Sequence, residues 1–370
     1  MKICFVTNGD IISNANIKRA TGMANYFIDE GWSVSIVIQD TKNNRDRLQI
    51  ECPKVEPLFF NECGVLTQLS QKKQLLNKWQ PDIVYVCAPS IRNFINKFNT
   101  GLKNSLFIIL HSELFSSAKI GLYKRARYYF FEILTLFLYD GHIAVSRYLE
   151  KYYSKKMKTF GIKKPILYSP DAYNVDYKNL IYKDLRDLFP EKKIILYMGS
   201  LSLNYGFLEL IQAVEKIKKE INDFVLIILG DGNDRKVGEN FVENHNLSST
   251  VFFFGHIFEK DLYSYLNIAD VFVCPLNNTV QDWSRCPSKL YMYLPFEKPI
   301  VTCRIGEALE LFGENGYYYN PNNIDDFALV LKSVLDLDKP RYEIDITRHT
   351  WKYSVKLFME WINLKFNKYE

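Results

Sequence analysis

Residues 195–214 read ILYMGSLSLNYGFLELIQAV. The run Ile194–Gly199 is apolar, rich in strand formers, and closes on a glycine. A helical pattern follows at about 206–220. The same order then repeats. Val225–Gly230, Val251–Gly255, Val271–Pro275 and Pro299–Cys303 read as buried strands, with helical patterns at about 259–267 and 287–295. Strands alternating with helices in this way predict βα units and a parallel sheet.

The first half repeats the theme. Ile3–Thr7 is a β-rich run, Asn8–Asn16 a polar loop, and Ala20, Met23, Ala24 and Phe27 share one helical face that ends at Gly31. Ser33–Ile38, Ile83–Ala88, Leu106–Leu110 and His142–Ser146 continue as strands. Ile166–Tyr177 is broken by Pro170 and reads as a linker. The expected architecture is α/β, with two Rossmann-like doubly wound domains facing across a cleft. They divide at 1–168 and 169–346. The helical stretch Trp351–Phe366, within 347–370, is expected to pack back on the first domain. A chain of 370 residues is long enough for two or three domains.

Hydrophobic residues at 48% and charged residues at 24% exclude disorder and a coiled coil. No run of about 20 uncharged apolar residues exists, so no transmembrane helix is expected. Met1 opens into a strand-like segment, so no signal peptide is expected either. Seven cysteines without a CxxC read as reduced, buried thiols and point to the cytoplasm. The net charge of +5 conceals an asymmetry. Residues 1–168 carry 24 basic and 13 acidic side chains, a balance of +11, which leaves −6 for the rest. That asymmetry predicts an anionic partner for the first half.

Several stretches carry chemistry. Lys18 and Arg19 stand where the first helix begins, which suits an anion. No GxGxxG occurs there, which disfavours a dinucleotide site. His111 closes a strand, the position of a general acid or base. Lys119, Lys124, Arg125 and Arg127 mix with Tyr123, Tyr128, Tyr129, Phe130 and Phe131, and Lys151, Lys155, Lys156, Lys158, Lys163 and Lys164 follow. Basic and aromatic residues on helices predict peripheral contact with an anionic membrane; no nucleic-acid motif is found. Gly199–Ser200, Gly230–Asp231 and Gly255–His256 close successive strands, where glycine lets a ligand approach. Pro287 suits a first helical turn, and Ser288 and Lys289 follow where a diphosphate could be held.

These residues resemble a known family. The opening MKICFVTNGD and the segments ILYMGSLSLNYGFLELIQAV, VLIILGDG, VFFFGHIFEKDLYSYLNIADVFVCPL and PSKLYMYLPFEKPIVT are similar, in order and spacing, to retaining GT-B glycosyltransferases of the group 1 family. The resemblance implies a C-terminal donor domain and an N-terminal acceptor domain. It implies a hexosyl-type, metal-independent transferase with no cofactor, the nucleotide-sugar being its co-substrate. The acceptor would be a glycan or lipid-linked glycan of bacterial surface polysaccharide (capsule, lipopolysaccharide) at the inner face of the plasma membrane. Catalytic roles fall to His111, Asp282 and Glu310. Donor contacts fall to Gly199, Ser200, Gly230, Asp231, Gly255, His256, Arg285, Ser288, Lys289, Leu290 and Glu307.

The departures from the family pattern are specific. Its Glu-x7-Glu pair is replaced by Ser284 and Met292, and Met292 cannot accept hydrogen bonds from ribose hydroxyls. The family's Arg and Lys after the first donor-domain strand read Ser200 and Tyr205. Asp282, Arg285 and Lys289 are expected to compensate. A non-catalytic partner of another transferase and a nucleotide-sugar 2-epimerase are the alternative readings.

Overall fold

Runs that are apolar at consecutive positions make strands covered on both faces, as parallel sheets require. In the computed structural model, which describes residues 1–10, 15–87, 90–118, 121–174 and 183–367, such runs build two sheets. The first contains β1 (Lys2–Val6), β2 (Ser33–Gln39), β3 (Glu56–Phe60), β4 (Ile83–Val86), β5 (Leu106–His111), β6 (Gly141–Ala144) and β7 (Ile166–Tyr168), in the order β3-β2-β1-β4-β5-β6-β7. The second contains β8 (Lys193–Met198), β9 (Phe224–Leu229), β10 (Val251–Gly255), β11 (Val271–Cys274), β12 (Ile300–Thr302) and β13 (Tyr317–Tyr318), in the order β10-β9-β8-β11-β12-β13. Every pairing is parallel. Each sheet, with its helices, is a Rossmann-like doubly wound domain.

The chain forms two units. One comprises Met1–Val175, Ser284–Cys286 and Thr347–Glu370; the other comprises Asp176–Trp283 and Pro287–Ile346. The supposed linker at Ile166–Tyr177 needs correcting. Its first residues are β7, which pairs with β6 and forms the sheet edge. Its last residues, and Ala88, lie outside the described set.

Alternation along β1 serves two cores. Ile3 and Phe5 join a cluster with Ala20, Met23, Ala24 and Phe27 of the first helix, Ala15–Asp29. Cys4 and Val6 face a separate cluster on the other side of the sheet. The helix Trp351–Phe366 lies beside the first helix on the Phe5 side. Its Phe358 ring meets Phe27 edge-on at 5.6 Å. Two glycines make room for its tryptophans. A Cβ on Gly22 would run into the Trp351 indole, and one on Gly141 would stand 2.7 Å from Trp361.

Arg19 is no anion site. It is only 2% exposed, and its guanidinium donates to the carbonyls of Ser169 (2.9 Å) and Pro170 (2.8 Å) and pairs with Asp171 at 3.2 Å. It pins the chain after β7 onto the first helix. Leaving these buried acceptors and Asp171 without their cation costs about 3–5 kcal/mol. R19M is therefore expected to lower the unfolding free energy in urea by at least about 3 kcal/mol. A loss below about 1 kcal/mol would show that the clamp is dispensable.

Candidate functional site

In open parallel sheets the strand order reverses at one point, and ligands gather at the carboxyl ends there. In the second unit this point lies between β8 and β11. β8 ends at Met198, and Gly199 follows with φ +146, a conformation that favours glycine. Gly230 ends the neighbouring β9 with φ +134. A Cβ on Gly230 would collide with the Gly199 carbonyl oxygen. Gly230 N–H donates to the Gly255 carbonyl at 2.7 Å, and Gly199 N–H to that of Leu229 at 2.9 Å. Three expected glycines thus meet at adjacent strand ends. Asp231, Ser200 and His256 beside them are exposed.

Lys289 joins this group. It lies in the short helix Ser288–Tyr293, for which Pro287 is the N-cap residue rather than part of the first turn. A Cβ built on Gly199 would stand only 2.8 Å from the Lys289 Nζ. The ammonium also sits 4.0 Å from the centre of the Tyr197 ring. Tyr197, whose hydroxyl donates to the Ser200 carbonyl (3.1 Å), was not singled out in the sequence. Its only signal is its place near the carboxyl end of the apolar run that forms β8. Arg235 was missed too. It faces the Gly255 edge and pairs with Asp231 (3.7 Å) and Glu239 (2.7 Å). A cation held over polarisable aromatic surface beside bare backbone suits a phosphate oxygen.

Other expected residues are placed differently. Leu290 is wholly buried and its N–H donates to the Pro287 carbonyl, so it has nothing to offer a ligand. Glu307 is 1% exposed and accepts from the Tyr291 hydroxyl at 3.1 Å. Asp282 is buried and accepts the Asn277 N–H at 2.6 Å, which makes it a loop-holding carboxylate. Glu310 is exposed on the helix Gly306–Phe312. Ser288 is half-buried beside Lys289. Arg285 and Ser284 fall in the three-residue piece that belongs to the first unit. There Ser284 accepts the Leu114 N–H (3.1 Å) on its hydroxyl and the Ser146 hydroxyl (2.6 Å) on its carbonyl.

His111 ends β5 as expected, but it is no exposed base. It is fully buried, its Nε2 lies 3.1 Å from Nδ1 of His142, and its ring packs 3.9 Å from Tyr153. Burial lowers its pKa to about 3 and lowers that of His142 well below the ordinary value. Two neutral imidazoles share one proton across the pair, one donating and the other accepting. The partner His142 was invisible in the sequence because it comes from the next strand.

Comparison with known proteins bears on the fold. Residues 183–353 match the family model described as Glycosyl transferases group 1. An uncharacterized glycosyltransferase of Methanocaldococcus jannaschii is 22% identical over 283 residues, covering 70% of this chain and 67% of that protein. The structure of sucrose-phosphate synthase from Thermosynechococcus elongatus superposes with a TM-score of 0.74 at 16% identity, over 99% of each chain. The pneumococcal O-GlcNAc transferase GtfA, solved with UDP and GlcNAc, gives 0.73 at 10% identity, over 100% of this chain and 99% of that one. The fold is that of GT-B glycosyltransferases.

The histidine pair makes stability depend on pH. With a folded pKa of about 3 against an ordinary 6.5, the unfolded chain binds the proton first as pH falls. Stability is therefore full above about pH 6.5 and declines toward pH 3. The urea midpoint is expected to drop between pH 7 and 5, and H142F to remove part of that slope; an equal slope in both proteins would rule the pair out as its source. At the strand ends, G230A is expected to weaken nucleoside diphosphate binding at least about tenfold, since its Cβ must displace the Gly199 backbone. Titration calorimetry measures it, and unchanged affinity would remove these glycines from the site.

Proposed function

We propose that this chain, whose residues 183–353 are a glycosyl transferases group 1 domain, moves a hexosyl group from a nucleotide-sugar to a glycan or lipid-linked acceptor with retention. The observation that carries the reading is the Lys289 ammonium against the bare backbone of Gly199 at the switch point of the second sheet. In the reaction the bond from the sugar C1 to the diphosphate oxygen breaks. The acceptor hydroxyl oxygen forms the new bond to C1 on the same face, and its proton passes to the departing diphosphate. Negative charge grows on the leaving group, so a cation fixed beside it is stronger in the transition state than in the ground state.

Within this reading Lys289 holds the diphosphate, and Gly199, Ser200, Gly230, Asp231, Gly255, His256 and Ser288 frame it by their position at or beside the strand ends. Glu310 is assigned to the sugar and phosphate by the family pattern, and Arg285 to the phosphate charge as a substitute for the cations that this chain lacks. Asp282 and Glu307 keep the surrounding loops in place. His111 serves as a neutral hydrogen-bonding group, since its low pKa excludes an imidazolium at neutral pH. GtfA, which has the same fold, was solved with UDP and GlcNAc, and this supports a nucleotide-sugar as donor. The products fit bacterial surface polysaccharide, capsule or lipopolysaccharide, assembled on a lipid-linked acceptor at the inner face of the plasma membrane. The reaction as proposed needs no metal and no cofactor.

A non-catalytic role is favoured by one fact, the methionine at 292 where the family pattern has a carboxylate. Hydrolysis of, or transfer from, any nucleotide-sugar by the pure protein rules that role out. A thermal-shift screen of nucleoside diphosphates and nucleotide-sugars identifies the donor, because a ligand at 100 times its Kd adds about 2.7 kcal/mol. K289A is expected to abolish that shift and to cut turnover by at least about a hundredfold while melting like the parent. Unchanged turnover in K289A would overturn the assignment.

A further inference from the structure

The helix Leu122–Leu138 carries large apolar side chains on its water-facing side. Its inner face buries Glu132, Thr135 and Leu136. Its outer face repeats aromatic residues every seven positions. Tyr123, Phe130 and Phe137 step by about 20° each and so span about 40° of the helix circumference. They are 80%, 67% and 48% exposed, with Leu122 at 82% beside them. Phe160, exposed at the end of the helix Arg147–Thr159, lies 5.9 Å from Phe137 and lengthens the stripe. Large rings repeated on one water-facing stripe are not what a free helix surface carries.

Exposed cations accompany the stripe. Lys124, Arg125 and Arg127 are exposed on the same helix, and Lys151, Lys155, Lys158 and Lys163 are exposed nearby in sequence to Phe160. Lys156 donates to the Tyr129 hydroxyl at 2.9 Å, which ties the two helices together. The nearby acids are already engaged. Glu132 is buried and accepts from Ser116, Asp140 pairs with Lys97, and Glu150 pairs with Arg147. Lys119 lies outside the described residues. Among the described residues no helix is long and apolar enough to cross a membrane. Apolar rings flanked by cations suit an interface between apolar chains and negative headgroups, with the helix lying in its plane.

We infer that the outer face of Leu122–Leu138, with Phe160, docks the first unit onto an anionic lipid surface. Tyr123, Phe130 and Phe137 enter between the headgroups, and Lys124, Arg127 and the lysines of Arg147–Thr159 meet lipid phosphates. This deepens the lipid-linked acceptor reading and rests on it only for its purpose; the docking is read without donor or acceptor. The full chain is sedimented with vesicles of phosphatidylcholine alone and of phosphatidylcholine mixed with phosphatidylglycerol. Binding is expected to the mixed vesicles only, and to fall at least about tenfold between low and high salt as screening shortens the electrostatic reach. Replacing both Tyr123→Ser and Phe130→Ser, or both Lys124→Glu and Arg127→Glu, is expected to cut binding at least about tenfold. Both pairs are exposed, so melting temperature and nucleotide-induced shift should match the parent. No binding, equal binding to neutral vesicles, or undiminished binding by both variants overturns the inference. So does a homodimer in size-exclusion chromatography that the Tyr123 and Phe130 variant dissolves, since a second copy would then cover the stripe. A failed thermal-shift screen with vesicle binding intact would remove the transferase reading and leave this one standing.

Discussion

Parallel pairing is the constraint from which the rest of this structure follows. A parallel strand cannot return by a tight turn, so every strand here is followed by a long connection, most of them helical. The helices cover both faces, which forces the strands to be apolar throughout, as β4, β9 and β11 are. All strands then end on the same edge. Glycines accumulate at that edge in the second unit because the chain must turn away while neighbouring backbones still touch. Gly230 against the Gly199 carbonyl is the tightest such place. A surface of bare backbone forms as a by-product of the topology, and one lysine suffices to give it a charge.

That economy shapes the electrostatics. The second half of the chain is net acidic, yet its strand ends present Lys289, steadied by the Tyr197 ring. The nearby carboxylates also take part in structural contacts. Asp231 leans on Arg235, Glu307 accepts from Tyr291, and Asp282 holds Asn277. Local arrangement, and not net charge, decides what such a site attracts. In the first unit much of the surplus positive charge stays on helix surfaces, while the buried Arg19 and Lys72 are consumed by structure.

How much of this was legible in the residues depends on distance along the chain. Strands β8 to β12 of the second unit could be read because each is apolar and bounded by glycine or proline, while β13, only two residues long, could not. β3 was missed because it opens on an exposed charge and a proline, Glu56 and Pro57, in an edge strand. β7 was missed because three half-buried residues next to Pro165 look like a linker. Among site residues, Gly199, Gly230 and Gly255 are legible as strand ends of one sheet because turn chemistry marks such places, whereas the approach of Lys289 to Gly199 is not. Partnerships between remote residues left no local mark. Nothing in the sequence tells that His142 faces His111, that Tyr291 occupies Glu307, or that Arg19 is turned inward to Ser169.

The chain path has a consequence for how the molecule is made. The sheet of the first unit is complete by Tyr168, but one flank of its core is covered by Trp351–Phe366. During synthesis that flank, with Phe27 and the notch at Gly22, stays uncovered until the whole second unit has left the ribosome. The second unit, by contrast, is closed within its own stretch except for the three residues 284–286 that it lends to its neighbour. The late element thus controls when the early one matures. Shortening the chain before Trp351 would leave an intact sheet wearing an open apolar seam, which favours association of nascent chains over solubility.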